Sequence, residues 1–222
     1  MIPFADRRDA GRQLGELLSE YAHSSLRVVV LGLPRGGVPV AFEVARKLRC
    51  ALDVFIVRKL GVPVQPELAM GAIASGGIVV RNEDVIRHLA VSEQAFAKVA
   101  QRENEELKRR ELLYRGKHEP VSVDGAICVI VDDGIATGAS MRAAIAALRS
   151  QHPARIFVAV PVAAPSVKHD FEAIVDRVFC VITPSDFSSV GAWYEDFDQT
   201  SDEEVAQLLA FRDDGESRSI ER

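Results

Sequence analysis

The chain has 222 residues, 48% hydrophobic and 27% charged, with a formal net charge of −5. At about 150 residues per domain this reads as one generous domain or one domain with a minor lobe, and the composition excludes disorder as the main state. The acidic balance argues against nucleic acid as bulk partner, and no apolar run approaches the ~18 residues of a membrane helix.

The first eight residues, Met1 to Arg8, have no signal-peptide core. Residues 5–22 read as an amphipathic helix with Leu14, Leu17, Leu18 and Tyr21 on one side. Four short runs, 28–33, 54–57, 126–131 and 156–160, are continuous and rich in β-branched residues, and 178–182 has the same style. Continuous apolar runs are expected of parallel strands covered on both faces. Between them, Val38, Ala41, Phe42, Ala45 and Leu48 keep a helical rhythm, as do Met141, Ala144, Ile145 and Leu148. Strand and helix thus alternate, which implies an α/β fold, doubly wound, with a mainly parallel sheet flanked by helices. Ligands of such sheets bind at the carboxyl ends of the strands.

Residues 92–115 read as a long charged helix with sparse apolar positions (Phe96, Val99, Ala100, Leu107), solvated or facing a partner. Acids Glu103, Glu105, Glu106 and Glu111 offset its cations, so it is no nucleic-acid surface. The tail 213–222 is polar and expected to fray. Cys50, Cys128 and Cys180 are far apart and odd in number, against a disulfide framework or a zinc site, and fit a reducing cytoplasm. His23, His88, His118, His152 and His169 are scattered and read as surface residues.

The informative stretch is Cys128-Val129-Ile130-Val131-Asp132-Asp133-Gly134-Ile135-Ala136-Thr137-Gly138-Ala139-Ser140. An apolar strand runs into two acids, a small-residue loop and a helix. Paired acids are expensive to bury without partners, so they belong on a cleft. Carboxylates there accept from a vicinal diol, while the loop amides, the Thr137 and Ser140 hydroxyls and the helix amino end make an anion cradle. There is no Walker lysine and no GxGxxG, which argues against a nucleoside triphosphatase or a dinucleotide fold.

This run closely resembles the phosphoribosyl pyrophosphate (PRPP) signature of the type I phosphoribosyltransferases, and the chain layout is similar to that family. The resemblance implies that Asp132 and Asp133 hold the ribose 2- and 3-hydroxyls. It implies that Gly134, Ile135, Ala136, Thr137, Gly138 and Ser140 hold the 5-phosphate. Pro34, Arg35, Gly36 and Gly37 resemble the family's pyrophosphate loop, with glycines permitting positive φ and close approach and Arg35 offering a planar fork. A cis peptide, frequent there in the family, would fall near Pro34-Arg35.

Arg58-Lys59 closes the second strand in this reading, and Lys59 reaches the diphosphate. Residues 61–77 hold four glycines and one charged residue, Glu67; they match the family's flexible lid loop, within which 69–74 and 78–81 could pair as a hairpin. The N-terminal segment and 183–200 form a small hood over the acceptor, with Phe187, Trp193 and Tyr194 as pocket candidates. The expected reaction moves ribose 5-phosphate from PRPP to a small nitrogenous acceptor, with Arg35, Lys59, Asp132 and Asp133 as catalytic residues. Mg²⁺ would be carried mainly by PRPP, near Asp132 and Asp133. The resemblance also implies a homodimer. The alternatives are a non-catalytic PRPP or nucleotide sensor and a nucleotide hydrolase or phosphorylase using the same cradle.

Overall fold

A computed structural model of the chain describes residues 4–210. The tail 213–222 lies outside the described residues.

Five strands form a parallel sheet in the order β2-β1-β6-β7-β8: β1 (Val28–Gly32), β2 (Ala51–Val54), β6 (Ile127–Val131), β7 (Arg155–Val162) and β8 (Arg177–Ile182). β1 and β6 are buried along their whole length and pair in register from Val28 with Ile127 to Gly32 with Val131. Alternate residues feed two cores. Val28, Val30, Val129 and Val131 pack toward helices α2 (Gly37–Leu48), α4 (Glu93–Arg115) and α7 (Asp202–Ala210). Val29, Leu31, Cys128 and Ile130 pack toward α5 (Ala139–Arg149) and α6 (Pro165–Glu172). Helices therefore cover both faces, as the continuous apolar runs require. The order reverses between β1 and β6, so the crevice at the switch point opens beyond their carboxyl ends.

A second, antiparallel sheet holds β3 (Val57–Val62), β4 (Gln65–Ala74) and β5 (Ile78–Arg81) in that order, and the short α3 (Glu83–His88) follows it. The apolar run 54–57 is thus no strand: β2 ends at Val54 and the chain enters the other sheet at Val57. The true β2 includes Asp53, whose charge hides the strand in the sequence. Asp53 is buried because Arg115 Nε donates to it at 2.8 Å and the Val121 N–H at 2.9 Å. Residues 61–77 are not a loop throughout, since β4 occupies most of them, and the expected hairpin appears as β4 paired with β5.

Helix α1 (Arg7–Leu17) stops earlier than residue 22 and passes into a 3-10 turn, Ser19–His23. Ala10, Leu14 and Leu18 are buried, whereas Leu17 is 46% exposed; at 100° per residue it falls off the face that meets α2. Helix α4 begins at Ser92, whose hydroxyl accepts from the Ala95 N–H. It is not simply solvated: Phe96, Val99, Leu107 and Tyr114 are buried, and its neighbours are β3, β4 and α7. Glu103 lies on that buried face because Arg58 and Arg102 pair with it. Among the described residues no helix is long and apolar enough to cross a membrane.

Candidate active site

Two loops leave the switch point side by side. The first, after β1, contains Pro34, Arg35 and Gly36 and leads into α2; its Pro34–Arg35 peptide is cis. The second, after β6, runs from Asp132 to Gly138 and leads into α5. They are joined by the Leu33 N–H, which donates to the Val131 carbonyl at 2.8 Å.

The glycines of the first loop provide space, not handedness. Gly36 has φ −59° and Gly37 opens α2. A Cβ at Gly36 would lie 2.0 Å from Asp133 Oδ2, and one at Gly37 would lie 2.7 Å from the Val131 carbonyl oxygen. In the second loop the left-handed turn falls at Gly138, with φ +75°, which caps α5. Phe171 fills the space where its Cβ would stand, 2.7 Å away. The loop is pinned midway by the Ile135 N–H donating to the Val162 carbonyl at 2.9 Å.

The first backbone donation into α5 is Arg142 N–H to the Gly138 carbonyl, at 2.9 Å. Amides of Ala136 to Ser140 precede it, at the positive end of the helix, and have no acceptor among the described residues. Ala136, Thr137, Ala139 and Ser140 are exposed, so this run of donors faces solvent. Of the six expected phosphate-loop residues, Ala136, Thr137, Gly138 and Ser140 belong to this run, whereas Gly134 and Ile135 are buried beneath it and the Ile135 N–H is already taken by Val162.

Asp132 and Asp133 stand half-buried at the base of the crevice. Burial and the adjacent Asp133 carboxylate push the Asp132 carboxyl well above the usual range. Burial also raises Asp133, although a hydrogen bond from Arg7 opposes it. Arg7, the first residue of α1, donates from Nε to Asp133 Oδ2 at 2.9 Å.

Arg35 lies on the same rim, with Nη1 3.8 Å from Asp202 Oδ1 at the start of α7. Asp202 also accepts from the Tyr114 hydroxyl at 2.6 Å. Burial, followed by that bond to Asp202, pushes the Tyr114 phenol up to about 12. Lys59 opens from β3 of the antiparallel sheet instead of closing a strand of the parallel one. Its Nζ is 3.3 Å from Glu67 Oε2, and the side chain is 46% exposed. Arg58 beside it is bound to Glu103.

The aromatic segment packs onto the acid loop. Phe4 pairs with Tyr194 as a short bridge, and its N–H donates to the Trp193 carbonyl at 2.8 Å. Val190 presses on Gly134, where a Cβ would be 2.5 Å from Val190 Cγ1. Tyr194 is corrected from pocket wall to anchor. Its ring lies between Phe4 and Phe197, with centroids at 5.3 and 5.0 Å, and its hydroxyl donates to the Asp133 carbonyl at 2.5 Å. Burial drives its phenol strongly upward. Phe187 and Trp193 are half-buried and pack against the same cluster.

A family model described as a phosphoribosyl transferase domain matches residues 6–196. The chain belongs to this family. A Mycobacterium tuberculosis H37Rv protein, provisionally named a phosphoribosyl transferase, is 47% identical over 220 residues, 98% of this chain and 49% of its own length. The chain therefore spans about half the length of that relative. The crystal structure of TT1426 from Thermus thermophilus is similar at 42% identity and a TM-score of 0.83, covering 94% of this chain and 98% of that one.

Two residues that contact the candidate site escape a reading of the sequence, Arg7 beside Asp133 and Asp202 beside Arg35. Arg7 carries one usable signal: cations in the first turn of a helix oppose the macrodipole, so Arg7 and Arg8 need acids elsewhere. They find Asp133 and, at 3.7 Å, Glu43. Asp202 reads from sequence as an ordinary helix-start acid, and no feature marks its second contact. The five histidines are exposed, as expected. Burial raises Cys50 and Cys128 to about 12 and Cys180 to about 11, so these thiols are poor nucleophiles at neutral pH.

Proposed function

We propose that the chain transfers ribose 5-phosphate from PRPP to a nitrogen acceptor of the nucleobase type and releases pyrophosphate. The observation that carries this reading is the meeting of two acids and a run of unpartnered amides beside Arg35 at the switch point. Asp132 and Asp133 accept from the ribose 2- and 3-hydroxyls, and the Ala136–Ser140 turn takes the 5-phosphate. Arg35 and the half-buried turn at Gly36 bind the diphosphate, while the Gly37 N–H is held by the Leu33 carbonyl. Lys59 joins them once it leaves Glu67.

The bond from the anomeric carbon to the diphosphate oxygen breaks as the bond to the acceptor nitrogen forms, and the acceptor proton goes to solvent. The cationic ribose intermediate state resembles that of glycoside chemistry. No protein nucleophile is needed, because holding the partners in line and stabilising the leaving group account for the rate. The antiparallel sheet acts as the lid that keeps water from the cation.

The donor set suits Mg²⁺ of the substrate-borne kind. Among the described residues no cluster of three metal-ligating side chains exists, and one of the two site acids already holds Arg7. An ion that keeps its waters and phosphate oxygens needs no more than Asp132 and Asp133 nearby. Bound there, it would neutralise the diphosphate charge. Phe187 and Trp193 remain the acceptor-side aromatics, and the buried Trp193 Nε1 has no hydrogen-bond partner among the described residues, leaving a donor for an acceptor lone pair. The unpaired thiols support a reducing, cytoplasmic setting.

The test is incubation with PRPP, Mg²⁺ and a panel of nitrogen acceptors, following pyrophosphate release. Release that depends on one acceptor supports the transferase. PRPP binding without turnover across the panel makes the chain a sensor, and release without acceptor makes it a hydrolase.

A further inference from the structure

The ribose acids face a ligand that carries a phosphate at one end and a diphosphate at the other. Two adjacent carboxylates repel such a polyanion unless a cation sits with them. Among the described residues, the cation in ion-pair contact with these acids comes from neither ligand loop but from Arg7.

Three parts of the molecule meet at its guanidinium. Nε donates to Asp133 Oδ2 at 2.9 Å and Nη1 to the Asp198 carbonyl at 2.7 Å. The guanidinium carbon lies 4.0 Å over the Phe197 ring. A Cβ at Gly36 would stand 3.1 Å from Arg7 Nε, so the pyrophosphate loop passes directly beside it. The side chain is 12% exposed, and Asp6, which caps α1 by accepting from the Asp9 N–H at 2.6 Å, fixes its origin. A helix amino end is an unfavourable place for a cation; what stabilises Arg7 there lies across the molecule, in the acid loop.

We propose that Arg7 is a positioning residue of the PRPP site. Acting through Asp133, it fixes that carboxylate for the ribose diol, lets a polyphosphorylated ligand approach two acids, and ties residues 197–198 to the ligand floor. The proposal rests on the reading of residues 132–140 as the PRPP cradle.

Calorimetric titration of PRPP at two salt concentrations tests it, using Arg7→Met, Arg7→Lys and the double variant Asp132→Asn with Asp133→Asn. Arg7→Met raises the Kd by at least roughly tenfold, the scale of one charge-assisted hydrogen bond, and flattens the salt dependence. Arg7→Lys keeps the charge but loses the planar fork, and returns the Kd to within about threefold of the parent with the parent salt slope. A merely structural role would lower the melting temperature of both variants alike and leave the salt slope unmoved, which overturns the proposal. Parent-like binding by Arg7→Met, with binding lost in the double Asp variant, overturns it while leaving the cradle intact. Parent-like binding by the double Asp variant removes the cradle and the proposal together. Should Arg7→Met fail to fold, Arg7→Lys decides alone: near-parent affinity supports the proposal and a tenfold loss overturns it.

Discussion

The two sheets hold their parts of the site under different physical regimes. Strands β1 and β6 are covered on both faces, and the loops leaving them are packed so closely that Gly36 and Gly37 have no room for a Cβ. The antiparallel sheet is open: the first half of β4 is exposed, and Val64 in its β3–β4 turn is 90% exposed. The acids and the amide turn come from the rigid floor, whereas Lys59 comes from the open sheet. In the proposed function the ribose 5-phosphate is thus held by the closely packed loops, and the remaining cation comes from the open sheet.

The contrast predicts unequal costs for truncations to alanine. Ile130→Ala, in the fully buried β6, lowers unfolding free energy by about 2–5 kcal/mol, whereas Val79→Ala, in half-exposed β5, costs less than about 1 kcal/mol. Urea denaturation of both measures this directly, and equal costs would erase the distinction. Gly36→Ala comes next. Its Cβ must displace the Asp133 carboxylate, so PRPP affinity falls by roughly 5- to 150-fold, equivalent to about 1–3 kcal/mol. Calorimetry should find this with little change in melting temperature, because the displaced group is the end of a side chain.

Lys59→Ala lowers kcat/KM for PRPP by about tenfold with unchanged stability, since its visible partner is the 95% exposed Glu67. Glu67→Gln changes it by less than about threefold. The smallest effect is in pH. The Asp132 carboxyl is raised in the folded protein, so its stabilising contribution is complete below the unfolded carboxylate range and is lost as pH rises through the folded value. In metal-free buffer the ligand-free protein therefore loses stability over that rise. Asp132→Asn flattens the stability profile and weakens binding, which thermal melts and titrations across pH would detect.

Legibility follows the same division. The doubly covered strands are readable because every residue of β6 is apolar, and the acids after it stand out against that background. Strand β2 misleads because its Asp53 is neutralised by Arg115, 62 residues away, a partner that no local pattern reveals. In the antiparallel sheet, two of the glycines that suggest a loop serve close packing, Gly61 and Gly71: a Cβ at Gly61 would meet the Pro66 carbonyl oxygen at 2.5 Å, where the β3–β4 register shifts. The buried face of α4 is obscured by Glu103, whose charge is answered from β3. Arg7 and Asp202 act through contacts between chain ends and the sheet rim, and Tyr194 has the look of a stacking surface in a sequence that cannot show Phe4 and Phe197 covering it. Residue type announces the cradle; long-range pairing supplies what orients it.

A crystal structure of the chain with PRPP examines the cradle itself. The 5-phosphate is expected within hydrogen-bond distance of the Ala136–Ser140 amides, with the ribose hydroxyls on Asp132 and Asp133 and the diphosphate beside Arg35. PRPP bound elsewhere, with residues 132–140 free of ligand, would contradict the account.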